Sequence, residues 1–391
     1  MDPLRNPYAP GAGVRPPQLA GRDGDLDAFR VVLERVGRGL PERSLMIAGL
    51  RGVGKTVLLL EFQSLAEQHE WSTAKLEGRA GISLRGGLGR AVHLLLRSLN
   101  RRHRLEHRFE RLLRILKSFV VTASPSGDFS FKLEVDPEPG SADSGDDEID
   151  LTELLVEVGK AAASVHTGVA IFIDELQDLP HPDLGAIVGA FHEISQQQLP
   201  VLIVGAGLPH LPQELSESKT YAERLFRYRR VDSLPKPAAT EALVVPAQRL
   251  GVEFTPAATE AILSASGGYP YFIQAYGKHT WDVAVRSPID LEDVQVGSIE
   301  ARRELDVGFF GTRLDRATPK EREYLQAMAE LGEEPIGTGA VAAHLGKPAG
   351  NLSVARDQLL KKGLIYSPDR GLVSFTVPRF GEFILGRQRD L

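Results

Sequence analysis

Residues 49–62 read GLRGVGKTVLLLEF, and this stretch decides the fold. It follows the apolar segment SLMIAGL (44–50) and leads into VLLLEFQSLAEQ, whose apolar residues recur at helical spacing. The pattern G-x-x-x-x-G-K-[ST] therefore lies between a predicted buried strand and a predicted helix. Glycines allow backbone N–H groups to turn toward phosphate oxygens, and the N-terminus of a helix attracts negative charge. The stretch predicts a loop that binds the phosphates of a nucleotide.

The residues of this loop have different expected tasks. Lys55 bridges the β- and γ-phosphates, and the Thr56 hydroxyl is a ligand of Mg²⁺. A glycine turn that merely links a strand to a helix is the alternative, which the flanking elements disfavour. The residues expected to contact the nucleotide are Gly49, Leu50, Arg51, Gly52, Val53, Gly54, Lys55, Thr56 and Val57.

A second motif supplies the acidic groups that such a site needs. Asp174 and Glu175 end the apolar strand VAIFIDE (169–175), which places both carboxylates at the carboxyl edge of the predicted sheet. Asp174 is expected to hold Mg²⁺, and Glu175 to orient or deprotonate the attacking water. Acids commonly cap strand ends, so this motif is informative only together with the phosphate loop.

Strands alternate with helices as far as residue 235, which predicts a parallel, doubly wound α/β sheet. From Lys236 the pattern is helical alone. From Thr318 it runs helix, helix, helix and β-ribbon, the order of a winged helix-turn-helix. The expected division is an extended arm (1–20), an α/β nucleotide domain (21–235), a helical lid (236–300), a linker (301–317) and a winged-helix domain (318–391).

Two further expectations concern the middle of the α/β domain. SFVVTAS (118–124) and FSFKLEV (129–135) read as a β-hairpin around a turn. The acidic stretch 134–150, with eight acids and no base, reads as a disordered surface excursion. The net charge of −6 also hides a basic stretch, since eight Arg or Lys residues lie between Arg97 and Lys117. This stretch is either a grip for a polyanion or a solvated helix face neutralised by the acidic run.

Composition excludes several classes of site. Without cysteine there are no disulfides, no thiolate catalysis and no cysteine zinc site. The ten histidines show no metal-binding spacing, and no G-x-S-x-G motif is present. The apolar runs are of strand length, and the N-terminus has no signal-like apolar region, so we expect a cytoplasmic protein that does not enter membranes.

With these motifs located, the chain resembles the AAA+ ATPases, in the branch of the STAND-like ATPases and the origin-recognition initiators. GLRGVGKT (49–56) and IFIDE (171–175) resemble the Walker A and Walker B motifs. LAGRDGDLDAF (19–29) resembles an entry motif that lies beside adenine, which assigns Arg22 to the base. SGGYPYFIQ (266–274) is similar to the G-x-P motif of STAND lids, which assigns Pro270 to the base or ribose.

Two departures from the family pattern concern the γ-phosphate. The strand after Walker B ends LIVGAGLPH (202–210), where the family usually has a polar side chain, often Asn. The lid has GGYP in place of the usual GxR arginine. The resemblance also places an arginine finger within YAERLFRYRRVDSL (221–234), and Arg224 is preferred to the alternatives Arg227, Arg229 and Arg230. Whether this finger acts within one chain or between subunits of a homo-oligomer stays open.

These observations lead to a functional expectation with two alternatives. We expect an Mg²⁺-dependent protein that binds ATP or ADP, hydrolyses ATP slowly and couples nucleotide state to the lid and the winged helix. A nucleotide-stabilised signalling scaffold and a replication-initiator-like DNA-binding ATPase are the alternatives. The winged helix offers Asn351, Ser353, Arg356, Lys361 and Lys362 to DNA, but region 318–391 has ten bases against nine acids. Double-stranded DNA and a protein therefore both remain candidate partners of the winged helix.

Overall fold

In the computed structural model, which describes residues 1–79, 84–105, 107–123 and 134–389, a five-stranded parallel sheet forms the centre of the first half. Its strands are β1 (Ser44–Ala48), β2 (Ser72–Glu77), β3 (Val169–Asp174), β4 (Val201–Gly207) and β5 (Phe226–Arg230), in the order β2-β3-β4-β1-β5. Parallel pairing puts all carboxyl ends at one edge, where Ala48 is in register with Gly207 and Glu77 with Asp174. The α/β fold expected from the sequence is confirmed.

Helices cover both faces of this sheet, because its central strands are fully buried. One apolar cluster lies between the sheet and the helices of one face, and a second lies on the other face. The helices are α1 (Asp23–Gly37), α2 (Lys55–Gln68), α3 (Leu84–His103), α4 (His107–Ala123), α5 (Asp147–Ser164), α6 (His181–Gln196), α7 (Leu211–Ser218) and α8 (Ala222–Leu225).

The second half of the chain is mainly helical and ends in a small antiparallel sheet. Helices α9 (Lys236–Gln248), α10 (Pro256–Ser266), α11 (Pro270–Val283) and α12 (Leu291–Glu304) are followed by a π-helical segment (Leu305–Gly311) and by α13 (Thr312–Leu314). The expected linker is thus helical through Leu314. The remaining elements are α14 (Pro319–Leu331), β6 (Ile336–Gly337), α15 (Thr338–His344), α16 (Ala349–Lys361), β7 (Ile365–Tyr366), β8 (Leu372–Phe375) and α17 (Phe380–Arg389), with β8 between β6 and β7.

The prediction of a β-hairpin at residues 118–135 is wrong for the first of its two strands. Residues 118–123 continue α4, because Ile115, Leu116, Phe119 and Val120 all bury their side chains on one face of the helix. Residues 124–133 lie outside the described part of the chain. No helix within the described ranges combines the length and the apolar character that a membrane span requires.

The acidic stretch 134–150 is also not the disordered excursion that its composition suggested. Asp150 is fully buried, and Arg85, itself 3% exposed, binds Asp150 at 2.8 Å and Asp147 at 2.6 Å. A buried guanidinium requires counterions, so Arg85 folds the acids onto the protein. The Ser144 hydroxyl donates a further hydrogen bond to Asp150 at 2.7 Å.

The arm expected at residues 1–20 packs against the protein and begins with a 3₁₀ turn, Pro3–Arg5. Tyr8 is 3% exposed; its ring lies against Gly277, and its hydroxyl donates to the carbonyl of Leu243. Arg15 forms an ion pair with Glu61 on α2 at 2.8 Å. The arm therefore joins the helices of the second half to the helix that follows the phosphate loop.

Candidate nucleotide-binding site

The phosphate loop connects β1 to α2 at the carboxyl edge of the sheet. Gly52 and Gly54 have φ values of +85° and +93°, a backbone region that side chains rarely adopt. These two glycines turn the loop so that α2 begins at Lys55 with its N-terminus facing the cavity. The sequence pattern is thus realised as a strand, a turn and a helix.

A cavity of about 400 Å³ lies over this loop. Most of the residues expected to contact nucleotide line it: Arg22, Arg51, Gly52, Val53, Gly54, Lys55, Thr56, Val57, Glu175 and Pro270. Gly49 and Leu50 belong to the loop but do not line the cavity. A Cβ on Gly49 would be 2.2 Å from the carbonyl oxygen of Val231, so this position admits only glycine.

Lys55 is buried at the base of the cavity. Its ammonium group donates a hydrogen bond to the Leu50 carbonyl at 2.9 Å, which holds the side chain along the loop. Burial lowers the pKa of Lys55 to about 8, and the charge of Glu175 opposes this decrease. A cation held in a site that disfavours its own charge is suited to an anionic ligand.

The two residues expected to hold Mg²⁺ meet directly. The Thr56 side chain forms a hydrogen bond with the Asp174 carboxylate, although the two residues come from different elements. Burial raises the pKa of Asp174, and this hydrogen bond opposes the rise. A hydroxyl beside a carboxylate fits Mg²⁺, which takes few protein oxygens and completes its shell with phosphate and water. With Mg²⁺ bound, these two oxygens would orient the phosphates, and the ion would supply charge neutralisation.

Glu175 lies one residue beyond Asp174 in a strained conformation, with φ of +48°. Its two carboxylate oxygens have different partners. Oε1 pairs with Arg51 at 3.1 Å, and Oε2 accepts a hydrogen bond from the Gln177 amide at 2.7 Å. Its side chain is 20% exposed, so the carboxylate is held at the cavity wall by a cation of the phosphate loop.

Arg22 has a second task beside the base-binding role expected for it. Its guanidinium donates to the carbonyls of Val53, at 3.2 Å, and Asp232, at 3.0 Å. It is 8% exposed, and burial lowers its pKa. Arg22 therefore lines the cavity while it ties the phosphate loop to the segment after β5.

Arg224 does not lie in the cavity. It is exposed on α8, before β5, and therefore at the amino edge of the sheet. Strand β5 separates Arg224 from the carboxyl edge and spans about 13 Å at the usual rise per residue. The Arg224 side chain therefore does not reach the phosphate loop of its own chain. The other candidates bind acids of the same chain: Arg227 with Glu42, Arg229 with Asp25 and Arg230 with Asp232.

Arg313 is a cavity residue that sequence reasoning missed. It follows the π-helical segment, its guanidinium lies 4.1 Å from the centre of the Phe309 ring, and it donates to the Phe309 carbonyl. Burial, and then the charge of Arg51, lower its pKa to about 10. Among the described residues it forms no ion pair. The signal in the sequence was an arginine one turn after the aromatic pair in GFFGTRL.

The N-terminal arm closes another wall of the cavity, which the sequence also did not predict. A Cβ on Gly13 would be 3.2 Å from the Thr56 methyl group, and the Ala9 amide donates to Gln274 on α11 at 3.3 Å. The arm residues that line the cavity are Ala9, Pro10, Gly11, Ala12, Gly13, Val14, Pro16, Gln18, Leu19 and Ala20.

The C-terminal unit, residues 319–389, touches the phosphate loop itself. The Arg51 amide donates to the Thr376 carbonyl at 3.0 Å. A Cβ on Gly363 would be 3.1 Å from Arg51 Nη2, so the guanidinium lies close against the C-terminal backbone. Tyr366 stacks on His210, with ring centres 5.9 Å apart, at the same edge of the sheet.

A phosphate loop and an acidic pair at the carboxyl edge of a parallel sheet define the P-loop ATPase class, and the five-stranded fold matches its AAA+ members. The family model of the AAA ATPase domain matches residues 18–204. A domain of unknown function, DUF8462, matches residues 307–384. No curated protein matches the chain.

Several solved structures are similar to this chain. A Walker-type ATPase of Pyrococcus abyssi is 15% identical with a TM-score of 0.60, over 95% of this chain and 97% of that chain. The RuvB Holliday junction branch migration motor of Thermotoga maritima is 19% identical, with a TM-score of 0.47, and the match covers 93% of this chain and 96% of that chain. The ORC1 protein of Aeropyrum pernix, solved in complex with DNA, is 17% identical, with a TM-score of 0.46, and the match covers 96% of this chain and 95% of that chain. At 15% identity the Pyrococcus likeness establishes a shared fold.

Proposed function

We propose that this protein is an ATP-dependent molecular switch that hydrolyses ATP slowly and reports nucleotide state through its C-terminal unit. The observation that carries the proposal is the position of Arg51. Its guanidinium pairs with Glu175, the carboxylate assigned to water activation, while its amide binds Thr376 of the C-terminal unit. One residue of the phosphate loop thus contacts both the catalytic acid and the reporting unit.

The switch follows from competition for Arg51. Without a γ-phosphate, the guanidinium neutralises Glu175, and a paired carboxylate is a weaker base. The γ-phosphate of ATP offers a stronger, bidentate acceptor for arginine and would draw the guanidinium away from Glu175. That movement changes the surface against which Gly363 packs. ATP and ADP would therefore set different positions of the C-terminal unit.

The remaining site residues take roles consistent with this cycle. Lys55 and the loop amides bind the phosphates, and Thr56 with Asp174 holds Mg²⁺. Arg313 is a further cation of the cavity that would reach the terminal phosphate, which is the role that the family resemblance gave to Arg224. Arg224 keeps its assignment only between subunits, where its exposed guanidinium would enter the site of a neighbouring copy.

For the C-terminal unit we propose a winged helix that docks a protein rather than DNA. Two of the cations expected to reach DNA are already paired within the chain, Arg356 with Asp357 at 3.1 Å and Lys362 with Glu321 at 2.6 Å. Val354 is 71% exposed on the same helix, α16. Neutralised cations around an exposed apolar side chain favour protein docking over phosphate binding.

Two measurements test the switch. In Glu175→Gln the steady-state ATPase rate should fall at least 10²-fold, the usual contribution of a general base, with ATP affinity retained. Glu77→Gln is the matched control, since that carboxylate ends β2 at the same edge, is 52% exposed and should leave the rate unchanged. Equal rates in Glu175→Gln and wild type would remove the assigned role.

The coupling is tested by hydrogen–deuterium exchange of peptides covering residues 363–376. Exchange is compared without nucleotide, with Mg·ADP and with a non-hydrolysable Mg·ATP analogue. Faster exchange with the analogue than with ADP is expected. Identical exchange in the two nucleotide states would leave the alternative, a nucleotide-stabilised scaffold with little turnover.

A further inference from the structure

Four arginines lie at the corner between α3 and α4. They are Arg97, Arg101, Arg104 and Arg108, and all four are exposed. Within the described ranges none of them forms an ion pair with a carboxylate. The chain as a whole has a net charge of −6, so this positive corner is a local feature.

Other arginines of the basic stretch have partners within the chain. Arg111 pairs with Glu157 at 3.4 Å and Arg114 pairs with Glu138 at 3.0 Å. Arg102 donates instead to the Trp71 carbonyl at 3.1 Å. Carboxylates of the acidic stretch and of α5 therefore neutralise the arginines in the middle of α4, and within the described residues these ion pairs do not extend to Arg97, Arg101, Arg104 or Arg108. The structure divides one basic segment of the sequence into a neutralised half and an unneutralised half.

The end of α3 is held by local hydrogen bonds. Arg104 adopts φ of +50°, a left-handed conformation that costs a residue other than glycine about 1 kcal/mol or more. The Arg104 amide donates to the Asn100 carbonyl at 2.8 Å, and the Leu105 amide donates to the Asn100 side chain at 2.9 Å. Leu105 is 5% exposed and anchors the turn in the core. Arg101 and Arg104 thus lie at a preorganised helix end.

From these observations we propose that the α3–α4 corner binds the phosphate backbone of duplex DNA. Arginine forms bidentate, charge-assisted hydrogen bonds to phosphate, and Arg97 and Arg101 are one helical turn apart, about 6 Å along the axis. Single-strand binders add aromatic platforms on which bases stack. Phe109, the one Phe, Tyr or Trp of this stretch, packs against the core, so apart from the small imidazoles of His103 and His107 the corner offers charge without a stacking surface.

The position of the corner separates it from the nucleotide site. Arg102 reaches the residue before β2, which places the end of α3 at the amino edge of the sheet. The nucleotide cavity lies at the carboxyl edge. DNA binding at the corner therefore does not rest on the proposed switch, and it should have the same affinity with ADP, with an ATP analogue or with neither.

The test is fluorescence anisotropy of the full chain with a labelled 20-base-pair duplex of mixed sequence, at salt concentrations from 50 to 200 mM. Four phosphate contacts predict that log K falls with log[salt] at a slope of roughly −3 to −4. In Arg101→Ala/Arg108→Ala the slope should become less steep by about 2. Arg111→Ala is the matched control on the same helix, because that arginine is already paired, and its slope should equal that of wild type.

A second control variant separates the corner from the basic residues of the C-terminal unit. Lys361→Ala, on α16, should bind the duplex as wild type does, and thermal unfolding of each variant checks that the fold is retained. Three results would overturn the proposal: a wild-type slope near zero, equal loss in the Arg111→Ala control, or loss only in the α16 variant. A higher affinity for single-stranded DNA or for duplex RNA of the same length would overturn the assignment to duplex DNA.

Discussion

The side-chain amide of Gln177 fills the space beside Gly207 at the end of β4. A Cβ on Gly207 would be 2.7 Å from Gln177 Oε1 and 3.0 Å from a methyl group of Leu211. Gln177 accepts a hydrogen bond from the Leu208 amide at 3.0 Å and donates one to Glu175 at 2.7 Å. The sequence shows no polar residue at the end of β4, but the fold supplies one from the turn after β3.

Gly207→Asn, which introduces the side chain that the family resemblance led us to expect, should therefore be harmful. The new Cβ would overlap Gln177, and overpacking of this kind costs about 1–3 kcal/mol of unfolding free energy. Urea denaturation measures the loss. Gly371→Asn is the control, since nothing lies within 4 Å of its Cβ position and Asn tolerates its φ of +80°. Equal stability of the two variants would contradict the overlap.

Arg313→Ala should weaken ATP binding more than ADP binding. The side chain is half-buried near Arg51 and Glu175, and a lost charge-assisted hydrogen bond costs about 1.5–3 kcal/mol, or roughly 10- to 100-fold in affinity. Isothermal titration calorimetry with an ATP analogue and with ADP measures the difference. Arg303→Ala, an arginine 77% exposed on α12, is the control. Equal losses for both nucleotides would place Arg313 away from the γ-phosphate.

Nucleotide affinity should decrease above pH 8. The pKa of Lys55 in the free protein is about 8, and bound phosphates would raise it because they stabilise the ammonium form. Binding therefore takes up a proton between the two pKa values, so affinity falls as pH rises through that window and is level below it. Calorimetry in buffers of different ionisation enthalpy detects the uptake. Lys55→Arg should abolish it, since arginine stays charged.

Tyr8→Ala should speed nucleotide release. The ring packs on Gly277, and its loss frees the arm whose residues 9–14 line the cavity. Stopped-flow release of a fluorescent ADP should be several-fold faster than in wild type, with a smaller change in overall melting temperature. Leu4→Ala, at a position 96% exposed in the same arm, should behave as wild type. An unchanged release rate in Tyr8→Ala would show that the arm does not retain the nucleotide.

The parts of the site that follow from sequence are those made by neighbours in the chain. A strand, two glycines at positive φ and a helix N-terminus form one continuous segment, and Asp174 directly follows its own apolar strand. Arg313 and Gln177 were missed because they reach the site through packing. A seven-residue π-helical segment precedes Arg313 and changes the helical register of the residues that follow it. No local pattern in the sequence predicts this change.

Sequence alone determined that the chain is an α/β P-loop protein with its acids opposite its phosphate loop. This was possible because hydrophobic periodicity and parallel pairing are enough to bring strand ends together. Tertiary structure decided which charges remain available. Arg229, Arg356 and Lys362 are neutralised by acids of the same chain, whereas Arg313 reaches the cavity and Arg101 faces solvent. Ion pairing depends on distances of a few ångströms between residues far apart in sequence, and only the packed fold sets those distances.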